Sequence, residues 1–183
     1  MKYLKKYLIV IIIFSLSTKS AKSQSNDECK YLMVLTYLRT NEQINEHLKG
    51  MFFRHKKSKK SKFVEFNLNN QIEFIGIGHF RDSLNSRDYG ISKELVNDNK
   101  LYRDSFYFER FRLQFLDKLI EPNPSSLYLT FSKSVGNILV AAIGNMDPKL
   151  YGVNQWGLGL TMLFKFDSLG LIENVFYYGA AYR

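Results

Sequence analysis

Cysteine is nearly absent from this sequence, and its scarcity limits both stabilisation and chemistry. Cys29 is the only cysteine among 183 residues, so the chain cannot form an internal disulfide. We expect its thiol to be buried on the first helix, because free cysteines usually are; the alternative is a disulfide with another chain. The three histidines, His47, His55 and His79, match no common zinc-binding spacing. We therefore predict no metal site and no cofactor.

The motifs of common hydrolases and nucleotide-binding enzymes are also missing. The sequence contains no Gly-x-Ser-x-Gly, no His-Glu-x-x-His and no Walker loop. Gly76 and Gly78 lack the third glycine of a dinucleotide fingerprint and do not open a helix. These absences favour a binding protein over an enzyme.

Beyond the first 25 residues, no apolar run approaches the roughly 20 residues that a membrane-spanning helix requires. The apolar run Leu8–Phe14 follows a lysine-rich start and precedes a small, polar segment ending at Ala21-Lys22-Ser23. This order predicts a secretory signal peptide over residues 1–23, cleaved to leave Gln24 first; an uncleaved anchor is the alternative. Residues 24–183 contain no Pro/Gly/Ser-rich linker, so they predict a single domain. We expect an exported bacterial protein, either periplasmic or extracellular.

The positive charge of the chain is concentrated in two places. The formal net charge is +9, but five lysines lie in residues 1–23, which leaves +4 for the remainder. Six further cations lie within nine residues, and without them the balance is −2. These are Arg54, Lys56, Lys57, Lys59, Lys60 and Lys62. The run either binds an anionic envelope surface or is a solvated connector. It contains no aromatic residue for base stacking, so we expect no nucleic-acid partner.

The periodicity of apolar residues predicts helices before and between the strands. The predicted helical segments are Asp27–Lys49, a short Ser92–Val96 within a polar connection over residues 81–100, and Asp104–Ile120. Within the first segment, Asn41 is expected to cap a second short helix that Gly50 ends. The aromatic stripe of the last segment predicts packing against the core.

Alternating apolar residues predict six strands. These are Val64–Leu68, Ile72–His79, Leu127–Phe131, Asn137–Ile143, Leu158–Phe166 and Leu171–Tyr178. We expect a hairpin turn at Asn69-Asn70, and turns closed by Gly136 and Gly170 at positive φ. Helices before a run of strands indicate an α+β domain, in which an antiparallel sheet of about six strands packs against N-terminal and central helices. This element order resembles the cone-shaped NTF2-like fold, which implies a curved sheet around a pocket.

The segment Gly144–Gly157 is the first candidate binding site. It is longer than a connection between two strands requires, and it carries the only tryptophan of the chain. Tyr151 and Trp156 offer aromatic faces and Asn154 offers a paired donor and acceptor, a mixture that suits a sugar, a peptide or another polar ligand. The alternative is that Trp156 anchors the loop over an open end of the sheet.

His79 and Arg81 form the second candidate site. On a strand these two side chains share a face, and the carboxylate of Asp82 orients an imidazole only if it lies nearby. The alternative is a structural histidine. The small residues beside aromatics at 176–183 either leave room for a ligand or relieve crowding.

Three functions are open from the sequence. The leading one is a non-catalytic exported domain that binds a small polar ligand or a cell-envelope protein. The second is a small secreted hydrolase or isomerase with a pocket in the sheet, using His79. The third is anionic-surface binding through Arg54–Lys62.

Overall fold

The computed structural model describes residues 26–53, 63–73, 75–104, 112–120, 125–145 and 157–182. In these ranges the chain forms α1 (Asn26–Thr40), α2 (Glu42–Phe52), β1 (Asn67–Ile72), a first 3-10 helix (Gly78–Ser83), α3 (Ser86–Asp104), a second 3-10 helix (Gln114–Leu119), β2 (Tyr128–Phe131), β3 (Ile138–Gly144), β4 (Gly157–Phe166) and β5 (Ile172–Tyr182). The predicted α+β class is confirmed. The predicted signal peptide and the run Arg54–Lys62 lie outside these residues. None of the helices described here is long and apolar enough to cross a membrane.

The described strands form one mixed sheet of five, in the order β1-β2-β3-β4-β5. Strands β2 to β5 pair antiparallel with their neighbours, as predicted, whereas β1 runs parallel to β2. The prediction of about six antiparallel strands is therefore wrong in the number of strands and in the direction of β1. The two tight turns that join the C-terminal strands are confirmed, because Gly136 and Gly170 have φ of 57° and 78°, the left-handed region that favours glycine.

The predicted hairpin over residues 64–79 does not form. The strand β1 continues through Asn69-Asn70 with a register shift between Leu68 and Ile72, where the Oδ1 atom of Asn69 accepts a hydrogen bond from the N–H of Gln71 at 3.0 Å. The strand that pairs with β1 is β2, and just before it the N–H of Asn67 donates to the carbonyl of Leu127. Asparagine pairs mark turns only as a tendency, and here the flanking residues Leu68 and Ile72 both pair with a distant strand, so the chain does not reverse.

The polar segment after His79 is also more ordered than predicted. In place of a short Ser92–Val96 helix, α3 covers 19 residues, Ser86–Asp104. The side chain of Asn85 accepts a hydrogen bond from the N–H of Asp88 and so satisfies its first turn. Leu95 is fully buried and Ile91 packs beside it. A narrow apolar stripe and an N-terminal cap are therefore enough to form a long helix here, because packing against the sheet stabilises it.

The predicted Asp104–Ile120 helix is wrong over its described part. Arg112 forms an isolated antiparallel bridge with Gln71, and the N–H of Leu113 donates to the carbonyl of Asn70. The chain then forms the second 3-10 helix, whose Leu116 is buried in the core. The apolar residues of the described segment 112–120 do reach the core, as predicted. At Arg112 and Leu113, however, the backbone pairs with the outer edge of β1 and does not form the hydrogen bonds of an α-helix.

Strand alternation divides the apolar side chains between two cores. Leu160, Met162 and Phe164 of β4 pack with α1 and α2 on one side, the α1/α2 face. Leu163 packs with Leu95 and with Phe80 of the first 3-10 helix on the other side, the α3 face. The central strands are thus covered on both sides, and functional surface is left to the sheet ends, the edges and the helices.

The start of the described chain follows the prediction more closely. Asn41 caps α2, since its Oδ1 accepts a hydrogen bond from the N–H of Ile44 at 2.9 Å. The helix continues past Gly50 to Phe52, so the predicted end is wrong by two residues. Cys29 is exposed, contrary to the expected burial, because the adjacent Lys30 and Tyr31 occupy the inner side of α1.

Candidate functional site

The first 3-10 helix presents both residues of the second sequence-predicted site. Its Phe80 is buried in the α3-face core, which anchors the helix. His79 and Arg81 on either side of Phe80 are exposed. The expectation that they share a strand face is wrong, because Ile77 leads into a 3-10 helix and no strand forms there.

The imidazole of His79 stacks on the phenol ring of Tyr178. The ring centroids lie 3.8 Å apart with 7° between the planes. Tyr178 belongs to β5 and is 39% exposed, so the pair forms a flat aromatic surface at the sheet margin. Within the described residues, no group donates to or accepts from the His79 ring nitrogens, and Asp82 does not pair with it. His79 is exposed, and both ring nitrogens of an imidazole can form hydrogen bonds.

Arg81 has a different aromatic partner. Its guanidinium carbon lies 5.8 Å from the ring centroid of Tyr89, and the Nζ of Lys93 lies 5.0 Å from the same ring. The two cations over the ring of Tyr89 add positive potential beside the His79–Tyr178 pair. The sequence offers no signal for this grouping, because Tyr89 belongs to α3, which was predicted as a connection.

The neighbouring tyrosine of β5 points to the opposite side of the sheet. The ring centroid of Tyr177 lies 5.2 Å from that of His47 on α2, at 58° between planes. A groove of about 440 Å³ runs beside it on the α1/α2 face. The groove is lined by Tyr37, Gln43, Ile44, Ile172, Glu173, Asn174, Val175 and Tyr177. Sequence reasoning missed this groove, although two consecutive tyrosines on a strand do predict one aromatic ring on each face.

A buried polar cluster joins α1 to the turn between β2 and β3. Lys30 Nζ donates to the carbonyl of Gly136 at 2.6 Å, to Ser134 Oγ at 3.2 Å and to Asp27 Oδ1 at 3.3 Å. Three acceptors around the amine suit an ammonium with three N–H groups. A serine–lysine nucleophilic pair needs a neutral amine to take the serine proton, so this geometry does not support one. The cluster fastens the helix to the sheet.

Tyr31 completes that attachment. Its hydroxyl donates to the carbonyl of Ser132 at 3.0 Å and accepts from the N–H of Ser134 at 2.8 Å. Burial raises the pKa of the Tyr31 phenol well above its ordinary value, with a smaller contribution from Asp27. The phenol therefore stays neutral and acts as a structural hydrogen-bonding group.

A second ionic contact fastens α3 to the sheet. Lys165 Nζ lies 3.0 Å from Asp88 Oδ2 and 3.5 Å from Glu173 Oε2. The hydrogen bond that Lys165 donates to Asp88 raises the pKa of Lys165, with Glu173 adding to the effect. A lysine held in its charged form is a poor base, so we read this contact as structural.

The first sequence-predicted site, with Tyr151, Asn154 and Trp156, lies outside the described residues. Its two flanking positions are held together, since the N–H of Asn145 donates to the carbonyl of Leu158 and the N–H of Leu158 donates to Asn145 Oδ1. The loop thus leaves and re-enters the sheet at one point. On β4 that point is Leu158, three residues from Thr161, the partner of Tyr178, which is about 10 Å along the strand.

Within the part of the chain that the structure describes, no three His, Cys, Asp or Glu side chains are grouped so as to hold a metal ion. No protein-family model, curated protein or solved structure matches this chain.

Proposed function

We propose that this protein is an exported bacterial domain that binds a small polar ligand or a cell-envelope protein without catalysing a reaction. The contact surface includes His79 and Arg81, together with Tyr151, Asn154 and Trp156 of the neighbouring loop. The observation that supports it best is the exposed, nearly parallel stack of His79 on Tyr178. Flat aromatic faces beside open donors and acceptors suit sugars and peptide groups.

The position of the loop supports combining the two sites. Its base lies about 10 Å along β4 from the residue that pairs with Tyr178, a distance that an eleven-residue segment between Asn145 and Gly157 easily spans. The cations over Tyr89 favour a ligand that carries a carboxylate, a phosphate or several hydroxyl groups.

The test is direct binding with a matched histidine control. A panel of soluble oligosaccharides and peptides is screened against the wild-type protein by native mass spectrometry, and hits are measured by calorimetry. We expect His79→Ala and Trp156→Ala to weaken binding at least about tenfold, the effect of losing roughly 1.4 kcal/mol. His47→Ala, on the opposite face of β5, is expected to bind normally. Equal loss in His47→Ala and His79→Ala, with the fold intact by circular dichroism, contradicts the proposed surface.

Export has its own test. The protein is expressed with its leader and recovered from the export compartment, and its intact mass is determined. We expect a mass that begins at Gln24; an intact leader on the recovered protein contradicts cleavage after Ser23.

Three other expectations stay predictions. The run Arg54–Lys62 binds anionic vesicles in a salt-sensitive manner if it is an envelope-binding segment. A small hydrolase or isomerase using His79 predicts activity that is lost in His79→Ala. The NTF2-like cone is the finer form of the α+β fold and implies a pocket enclosed by the sheet.

A further inference from the structure

The groove on the α1/α2 face lies between the corner of α1 and α2 and the start of β5. Its volume of about 440 Å³ is within the range of small-ligand sites. Tyr37 of α1 and Gln43 of α2 line one wall, and Val175 and Tyr177 of β5 line the other. The surface proposed above, around His79, lies on the α3 face, so the groove is a separate part of the molecule.

Both walls of the groove are held in place by hydrogen bonds and packing. The N–H of Asn41 donates to the carbonyl of Tyr37 at 2.8 Å, and Asn41 Oδ1 accepts from the N–H of Ile44 at 2.9 Å. On the opposite wall, Val175 pairs with Phe164 in the β4–β5 ladder. The ring of Phe164 meets the ring of Tyr37 edge to face, with centroids 5.7 Å apart. A ligand therefore enters a preformed groove and does not have to order it.

Three polar side chains of the groove have unused hydrogen-bonding groups. In the described part of the chain, the hydroxyls of Tyr37 and Tyr177 and the amide of Gln43 form no hydrogen bond with the protein. Gln43 and Tyr177 are exposed, and Tyr37 is half-buried. Burial raises the pKa of Tyr37, with Tyr177 adding to the effect, so this phenol keeps its proton at neutral pH. Phenols and primary amides both donate and accept, as the hydroxyl groups of a sugar do.

The charge of the groove favours a neutral ligand. Glu173 is the only charged residue among the described residues that line it. Its carboxylate lies 3.5 Å from Lys165 Nζ, which weakens its attraction for a second cation. Since no lysine or arginine is part of this lining, a carboxylate or phosphate would find no counter-ion there.

The groove also offers an apolar surface beside its polar groups. The ring of Tyr177 is 45% exposed, and His47 supports it with ring centroids 5.2 Å apart. Ile44 and Val175 add aliphatic surface to the lining. A pyranose has an apolar face of C–H groups and a rim of hydroxyls, so it matches an aromatic ring flanked by groups that donate and accept.

We propose that this groove binds a neutral mono- or disaccharide, with one sugar ring lying on Tyr177 and its hydroxyl groups bonded to Tyr37 and Gln43. The site is additional to the surface around His79. The two are separated by β5, because Tyr177 and Tyr178 point to opposite faces of the strand. With three hydrogen-bonding side chains and one exposed ring, the expected dissociation constant is about 1 mM.

Amide chemical-shift mapping by NMR tests the site on the wild-type protein. Maltose, cellobiose, lactose and N,N′-diacetylchitobiose are each titrated to about 100 mM, far above the expected dissociation constant. We expect at least one of them to give saturable shift changes at the backbone amides of Gln43, Ile44 and Tyr177. The amides of α3 should not respond to that sugar.

Substitutions assign the binding to named groups. Gln43→Ala and Tyr177→Ala should each weaken the responding sugar at least about fivefold, and Tyr177→Phe should weaken it less because it keeps the ring. Gln114→Ala, at an exposed position of the second 3-10 helix, is the matched control and should bind normally. The amide spectra also show whether each variant is folded.

A charge series tests the choice of a neutral ligand. Glucose, glucuronate and glucosamine are compared in the same assay, because they share one ring and differ in charge. We expect glucose to bind at least about threefold more tightly than glucuronate. Tighter binding of glucuronate, or tighter binding of glucosamine that is lost in Glu173→Gln, would overturn the neutral saccharide in favour of an ionic ligand.

The groove and the surface around His79 fail separately. His79→Ala should leave binding in the groove unchanged. The saccharide site is overturned if none of the four disaccharides shifts the groove amides in a saturable manner, or if the shifts lie only on the α3 face. It is also overturned if Gln114→Ala weakens binding as much as Gln43→Ala does. None of these results removes a ligand that depends on His79.

Discussion

The side chain of Asn45 joins α2 to Val64 across the basic run. Asn45 Oδ1 accepts a hydrogen bond from the N–H of Val64 at 2.6 Å, in a buried setting. Its Nδ2 group donates to the carbonyls of Asn41 at 2.7 Å and Leu38 at 3.1 Å. One amide thus satisfies three backbone groups and holds together the two ends of the segment that contains Arg54–Lys62.

Asn45→Leu should therefore be among the most destabilising substitutions of a polar residue in the described chain. It leaves the buried N–H of Val64 without this acceptor and removes two further hydrogen bonds, which costs about 2–4 kcal/mol. Urea denaturation measures the free energy of unfolding. Asn97→Leu, at an exposed position of α3, is the control and should change it by less than about 0.5 kcal/mol. Similar losses in both variants would contradict the role of Asn45.

Tyr31 should make the protein sensitive to alkaline pH. Its pKa is raised in the folded state, so above the ordinary value of 10.0 the unfolded chain loses this proton while the folded one keeps it. Stability is fully present below that pH and falls as the pH rises further. Tyr31→Phe should cost about 1–2 kcal/mol at pH near 7 through lost hydrogen bonds. It should also show a shallower fall in unfolding free energy between about pH 10 and 11. Parallel alkaline curves for the two proteins would refute this.

The Lys165–Asp88 pair should show strong coupling in a double-mutant cycle. Lys165→Met leaves the buried Asp88 carboxylate without its cation, so it should destabilise more than the double variant Lys165→Met/Asp88→Asn. The raised pKa of Lys165 also means that this stabilisation is present at neutral pH and is lost once the pH passes through the raised value. Thermal unfolding of the four proteins gives the coupling; additive effects would show that the pair is not energetically linked.

Two glycine substitutions should have opposite signs. Gly136 has a φ of 57°, and a Cβ there would lie 3.1 Å from Ile91 Cγ2, so Gly136→Ala should destabilise by about 1–2 kcal/mol. Gly50 lies inside α2 and a Cβ there meets nothing within 4 Å, so Gly50→Ala should stabilise by about 0.5–1 kcal/mol. Melting temperatures check both. A stabilising Gly136→Ala would mean that the turn accepts another conformation.

The C-terminal strands were predictable because their signals are local. Alternating apolar residues mark β3 and β4, and Gly136 and Gly170 mark the turns at the positions where positive φ occurs. The Asn41 cap was predictable for the same reason, since its partner Ile44 is three residues away. In such cases the interactions that form the structure lie within one window of sequence.

The errors occurred where distant segments decide the outcome. Asn69-Asn70 looks like a turn, but Leu68 and Ile72 on either side of it both pair with β2, some sixty residues away, so the strand continues there with a register shift. Residues 112–120 carry a helical apolar stripe, but Arg112 pairs with Gln71 instead. Ser86–Asp104 is too polar to predict as a long helix, yet the sheet supplies the surface that its Leu95 covers.

The candidate site divides in the same way. The sequence by itself determined that His79, Arg81 and two consecutive tyrosines of a strand were available, and that the tyrosines would point to opposite faces. Only the tertiary structure decided that His79 lies on Tyr178 and that His47 lies by Tyr177. The physical reason is that a residue pattern specifies the direction of a side chain relative to its own backbone. Which ring it meets depends on how separate elements pack, and no local pattern encodes that.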